Sequence, residues 1–74
     1  MRETLSEARD EHGSIRAAFR RWHTEGTYEV RVTSHGFFGE VGHLFRTRGV
    51  DYEKGLRLYR EECEARGLNQ LYFK

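Results

Sequence analysis

A stripe of mainly apolar residues runs through the first third of the chain: Leu5, Ala8, His12, Ile15, Phe19 and Trp22. Steps of three and four are the signature of an amphipathic helix with one face turned to a core. Thr4-Leu5-Ser6-Glu7 has the form of a capping box that would start it, and Gly26 lies just past its end. Gly13 falls mid-helix, where glycine costs about 1 kcal/mol relative to alanine, and Ser14 offers the start of a second, shorter helix. The unbroken stripe favours one continuous helix. Its polar side is sorted by charge, with Arg2, Arg9, Arg16 and Arg20 along one flank and Glu3, Glu7 and Asp10 on the other. Such a flank is ordinarily a solvated face, although it can also meet a partner.

From Thr27 to Ser34 the period changes to two. Tyr28, Val30 and Val32 alternate with Glu29, Arg31 and Thr33, which predicts a half-buried strand. His35-Gly36 reads as a two-residue turn into a second strand from Phe37 to about Thr47. That turn pairs Ser34 with Phe37, Val32 with Gly39 and Val30 with Val41, and it sets Arg31 opposite Glu40. The inner face then carries Tyr28, Val30, Val32, Phe37, Val41 and Phe45. The outer face carries Arg31, Thr33, Phe38, Leu44 and Arg46. Gly39 and Gly42 mark a bulge or a close backbone approach, and they count against the rival reading of Glu40 to Arg48 as a short helix.

Asp51 can cap a second helix, along which Tyr52, Leu56, Tyr59 and Cys63 recur at i, i+4, i+7 and i+11. Gly67 followed by Leu68 fits a Schellman ending, and Leu71-Tyr72-Phe73 predicts a last short strand. The whole is a single α+β domain over residues 1–74, in the two-layer order α-β-β-α-β. A small, mostly antiparallel sheet, the hairpin plus the C-terminal strand, is covered on one face by two helices. A right-handed crossover through the second helix places the last strand antiparallel on the free edge of the first. The other sheet face stays open.

Composition narrows the choices. Seventy-four residues, 36% of them hydrophobic, allow only a small core, and single cores of this size supply a few kcal/mol, about 3–5 at most. Cys63 is the only cysteine, so no internal disulfide is available, as expected of a reducing compartment. No apolar run approaches the roughly 20 residues of a membrane span, and no signal-like segment follows Met1. A cytoplasmic protein without a membrane partner is the expectation. Thirteen basic and twelve acidic residues give a net charge of +1, which argues against an acidic DNA mimic and a basic nucleic-acid tail. Eleven of the thirteen basic residues are arginine. The guanidinium fork suits bidentate and interface contacts, but GC-rich coding gives the same bias.

Candidate chemistry is sparse. His12, His23, His35, His43 and Cys63 match no metal-ligand spacing, and no metal or cofactor is expected. His12 and Cys63 read as core or boundary residues. His35 with His43, Glu40 or Arg46 supplies the ingredients of acid–base RNA cleavage, but the spacing fixes no geometry. On the outer sheet face, Arg31, Phe38, Leu44 and Arg46 mix apolar groups with guanidinium groups, as protein hot spots do and as base-stacking sheets do. Lack of a net basic field favours protein. The expected function is a non-enzymatic, protein-binding regulator or inhibitor that docks stoichiometrically on a larger machine, a mode common among small phage, bacterial and mobile-element proteins. Its contacts would be Arg31, Phe38, Leu44 and Arg46, with Arg16 and Arg20 as second choices. The alternative is a nucleic-acid-binding protein using the same face plus Arg48 and His35, and a small ribonuclease stands third. Phe38 and Leu44 could instead be covered by a second copy or by the C-terminal segment. The seam of the first helix serves a core or a homodimer equally well.

Overall fold

A computed structural model describes residues 2–23 and 25–74. The elements in chain order are β1 (Arg2–Arg9), β2 (Ile15–Trp22), β3 (Thr27–Gly36), β4 (Gly39–Val50), α1 (Tyr52–Arg66) and β5 (Asn69–Phe73). The strands form one sheet in the order β4-β3-β2-β1-β5, and every neighbouring pair is antiparallel. Four strands meander, and α1 then returns the chain to the free edge of β1. The fold is α+β, but among the described residues it holds one helix where the sequence predicts two.

The expected first helix is the β1–β2 hairpin. Asp10 organises its turn: the carbonyl accepts from Gly13 N at 3.1 Å and the carboxylate accepts from Ile15 N at 3.3 Å. Gly13 has a φ of 72°, a left-handed conformation that side chains with a Cβ disfavour. Asp at the first position and Gly at the fourth are ordinary type I turn preferences, so Gly13 is a turn residue and not a tolerated helix fault. Leu5, Ala8, Ile15 and Phe19 reach the core side either way, which is why the stripe misleads. His12 is in the turn and exposed, and Trp22 points to the opposite face. The strand wins because β2 is the central strand. It pairs with β3 without a break from Ile15 opposite Ser34 to Trp22 opposite Thr27, and with β1 on its other side.

The β3–β4 hairpin forms as predicted, with a different turn. Gly36 pairs with Gly39, which leaves Phe37-Phe38 as the two-residue tip. Phe37 and Val41, expected inside, are 96% and 75% exposed. Val32 lies opposite Phe45 and Val30 opposite Thr47, while register steps leave Val41, Leu44 and Gly49 as extra residues on β4. Arg31 sits opposite Arg46 and reaches diagonally to Glu40, with 2.8 Å between Nη2 and Oε1. This register keeps Tyr28, Val30, Val32 and Phe45 on the core side, which a one-residue slip would reverse. The last strand also differs from expectation: β5 lies antiparallel to β1, because β2 already occupies the free edge of β3.

The core lies between α1 and one sheet face and comprises Leu5, Ala8, Ala17, Phe19, Val30, Val32 and Tyr59. Phe19 is its centre, with the rings of Tyr28, Tyr52, Tyr59 and Phe73 at centroid distances of 5.6, 5.7, 5.8 and 6.4 Å. Asp51 caps α1 by accepting from Lys54 N at 2.8 Å, and Gly67 closes it with Leu68 N donating to Cys63 O, the predicted Schellman ending. The Tyr59 hydroxyl and Ser6 Oγ lie 2.8 Å apart, and Ser6 Oγ donates to Tyr72 O at 2.7 Å, tying α1 to β1 and β5. Among the described residues no helix is long and apolar enough to cross a membrane. The second sheet face carries no helix among the described residues.

Candidate functional site

Alternation along the meander gathers arginines on the open face: Arg2 and Arg9 of β1, Arg16 and Arg20 of β2, Arg31 of β3, and Arg46 and Arg48 of β4. Three strand carboxylates share that face, Glu7, Glu29 and Glu40. The four arginines placed on one flank of a helix therefore do share a face, but it belongs to a sheet. Arg9 lies directly opposite Arg16, and Arg31 directly opposite Arg46. Like charges facing each other across strands are destabilising. Arg31 and Arg46 are each neutralised by a carboxylate, Glu40 and Glu29, so of the two opposed pairs only Arg9–Arg16 is left without a structural account.

These arginines are not equivalent. Arg46 Nε donates to Glu29 Oε2 at 3.1 Å, and the Glu29 side chain is only 1% exposed. That makes Arg46 the partner of a buried carboxylate. Because Arg46 is itself half exposed and Arg20 and Arg48 also lie opposite Glu29, its removal should cost less than the about 3–5 kcal/mol of a fully buried pair. Arg48 stacks on Trp22, with its guanidinium carbon 3.9 Å from the ring centroid, and its Nη2 lies 3.3 Å from Glu25 Oε1. Arg2 approaches the same ring at 5.9 Å. Arg9 and Arg16 are exposed and form no ion pair among the described residues.

Ala18 lies among the rest. Arg16 and Arg20 are two positions to either side of it on β2, Glu7 is opposite on β1 and Arg31 opposite on β3. The small side chain leaves a cavity of about 190 Å³ lined by these residues with Arg9, Thr33, His35, Glu40 and Leu71. Nε and Nη1 of Arg20 and Nε of Arg31 are buried and have no hydrogen-bond partner among the described residues. Burial, then repulsion from Arg2 and Arg31, holds the Arg20 guanidinium below the usual arginine range, and Glu29 and Glu7 only partly offset this.

The structure thus brings together Arg16, Arg20, Arg31, Arg46, Arg48 and His35 of the predicted site residues. His35 is held by Thr33, with 2.7 Å between Nε2 and Oγ1. Phe38 and Leu44 do not join them. Phe38 is 99% exposed at the hairpin tip, its ring edge-on to Phe37 at 5.2 Å, and Leu44 is an extra residue in the β4 edge. Glu7, Arg9, Ala18, Trp22 and Glu29 were missed. The signal was present: Arg16, Ala18, Arg20 and Trp22 alternate with Ile15, Ala17 and Phe19 at a period of two. No group of three or more His, Cys, Asp or Glu side chains able to hold a metal ion occurs among the described residues.

Comparisons with protein-family models, with curated proteins and with solved structures each found no match.

Proposed function

We propose that this is a non-enzymatic binding protein whose open, arginine-rich sheet face takes a single strand of nucleic acid. The observation that carries the reading is the pair Arg9 and Arg16, directly opposite each other, exposed and without carboxylate partners among the described residues. A polyanion relieves such repulsion, and the guanidinium fork matches phosphate oxygens in bidentate fashion. The balanced net charge does not oppose this, because it is an average over unlike parts of the fold. The four glutamates of α1 are matched by Lys54, Arg57, Arg60 and Arg66. The acidic residues that offset the arginine face sit in turns and at the helix cap: Asp10, Glu11, Glu25 and Asp51. Trp22 beneath Arg48 adds a ring of the kind on which bases stack, once the arginine lifts or sandwiches the base.

The test is binding of a labelled single-stranded oligonucleotide across a range of salt concentrations. Affinity is expected to fall steeply with salt. Replacing Arg9 and Arg16 together by Gln should flatten the log–log slope by about 1.4, at roughly 0.7 per phosphate contact on single strands. No binding at low salt, or a slope unchanged in the double variant, overturns the proposal.

A protein partner is a second reading, favoured by one feature: the protruding Phe37-Phe38 tip, an apolar pair of the kind that anchors interfaces. It predicts that Phe37→Ser with Phe38→Ser abolishes cross-linking to an identified protein while the arginine variants do not. The opposite pattern removes it.

A further inference from the structure

We infer that the cavity above Ala18 is a seat for one phosphate group, gripped by Arg9, Arg16, Arg20 and Arg31. This deepens the proposal above and rests on the open face being an anion site. The seat is built from opposed features. Three guanidinium N–H donors, two from Arg20 and one from Arg31, are buried without a partner among the described residues, and leaving buried donors unmade is costly, about 1–3 kcal/mol each. The Arg20 and Arg31 side chains line the cavity, and these nitrogens are turned away from solvent. Glu29 Oε1, on the residue opposite Arg20, is also buried and unpartnered among the described residues. Rotation of either guanidinium toward the cavity would let an anion satisfy donors that the folded chain leaves unmade.

Ala18 is the reason the space exists. Its neighbours on the open face of β2 are Arg16 and Arg20, and any larger side chain at 18 would occupy the volume between them. About 190 Å³ leaves room for a phosphate and a few waters, each water taking about 30 Å³. The rim sets the net charge. Glu40 is engaged with Arg31 Nη2 at 2.8 Å, which leaves Arg31 Nε for the ligand, and Glu7 stands on the β1 side. Four arginines against two carboxylates leave two positive charges, enough for a phosphodiester or a terminal phosphate. The further arginines along the same face, Arg2, Arg46 and Arg48, suit a chain of successive phosphodiesters better than one terminal phosphate. The backbone of a nucleic-acid strand is therefore the favoured source of the phosphate.

The experiment is a titration followed by NMR of backbone amides and arginine Nε–H groups. Inorganic phosphate is the first probe, with chloride at equal ionic strength as control. A short oligonucleotide with successive internal phosphodiesters and a nucleoside monophosphate are the other arms. Saturable shifts at the Nε–H of Arg20 and Arg31 are expected with phosphate and not with chloride, with the oligonucleotide binding more tightly than the monophosphate. Ala18→Leu should weaken phosphate binding at least tenfold while the amide spectrum stays folded. Arg20→Gln should do the same and stands in if Ala18→Leu does not fold. Arg57→Gln on α1 should change nothing. Non-saturating shifts, or wild-type affinity in Ala18→Leu or Arg20→Gln, overturn the seat. Phosphate saturation without any oligonucleotide binding leaves the seat standing and sinks the proposed function. Salt-sensitive oligonucleotide binding that Ala18→Leu leaves intact does the reverse.

Discussion

At the scale of single residues, the contact between α1 and the sheet turns on Gly55. A Cβ built there would lie 2.8 Å from Phe19 Cε1, with Tyr28 and Val50 side-chain atoms both at 3.4 Å. Alanine would gain about 1 kcal/mol of helix propensity. Phe19 is fully buried among four rings and cannot retreat, and overpacking of this kind costs about 1–3 kcal/mol. Gly55→Ala is therefore expected to lower stability in urea denaturation despite its better propensity. Tyr59 supplies a pH dependence. Burial pushes its hydroxyl above the ordinary tyrosine value of 10.0, with the Ser6 hydrogen bond only partly opposing this. The folded state thus favours the neutral phenol. Stability is fully present below pH 10 and falls above it, where the unfolded chain ionises first, by up to about 1.4 kcal/mol per pH unit. Burial raises the Cys63 thiol in the same sense, so the decline starts somewhat earlier. Tyr59→Phe should cost about 1 kcal/mol at neutral pH and flatten the alkaline decline in a pH series of thermal melts.

At the scale of elements, legibility in the sequence followed the number of independent signals. For α1 the stripe, the Asp51 cap and the Gly67 ending agree, and the helix spans 52–66. For β3 the two-residue period is clean over seven residues. The β1–β2 hairpin failed because a stripe at steps of three and four can be assembled from two strands, and because Asp10 and Gly13 speak for a turn only if the stripe is set aside. Gly13→Ala separates the two local structures by sign. In a helix the change would stabilise by about 1 kcal/mol. At a φ of 72° it should destabilise by about 1 kcal/mol or more, without added helical signal in circular dichroism. The tip of the β3–β4 hairpin was misplaced for a related reason. His35-Gly36 and the actual Phe37-Phe38 both stand beside glycine, and local turn chemistry did not choose between them. The bulges in β4 did, by setting which residues fall under α1.

At the scale of the molecule, the site was legible in its residues but not in its assembly. Arg31, Arg46, Arg48 and His35 are read from the sequence onto one open sheet face, but Arg16 and Arg20 onto the flank of a helix. A net charge of +1 spoke against a basic field because it carries no information about where in the fold each charge falls. The assembly also divides binding from stability. Arg9→Gln with Arg16→Gln removes a like-charged pair and should leave stability unchanged or slightly raised, by a few tenths of a kcal/mol, while oligonucleotide affinity falls. Arg46→Glu, in contrast, would place a carboxylate against buried Glu29 and should be clearly destabilising. Thermal melts of both variants beside binding curves distinguish a binding arginine from a structural one.

The irregular β4 has a consequence for how molecules meet in solution. Its outer edge is the longest unpaired ladder in the sheet, twelve residues including exposed Val41 and Leu44. A straight edge of that length invites a strand from another copy to continue the sheet, the first step of aggregation. Each extra residue interrupts the repeat of donors and acceptors, so no incoming strand finds a long run in register. Two of the three insertions, at Val41 and Leu44, are also what brings Phe45 opposite Val32 and against the core, so the same irregularity serves the inside of the sheet and its longest described edge.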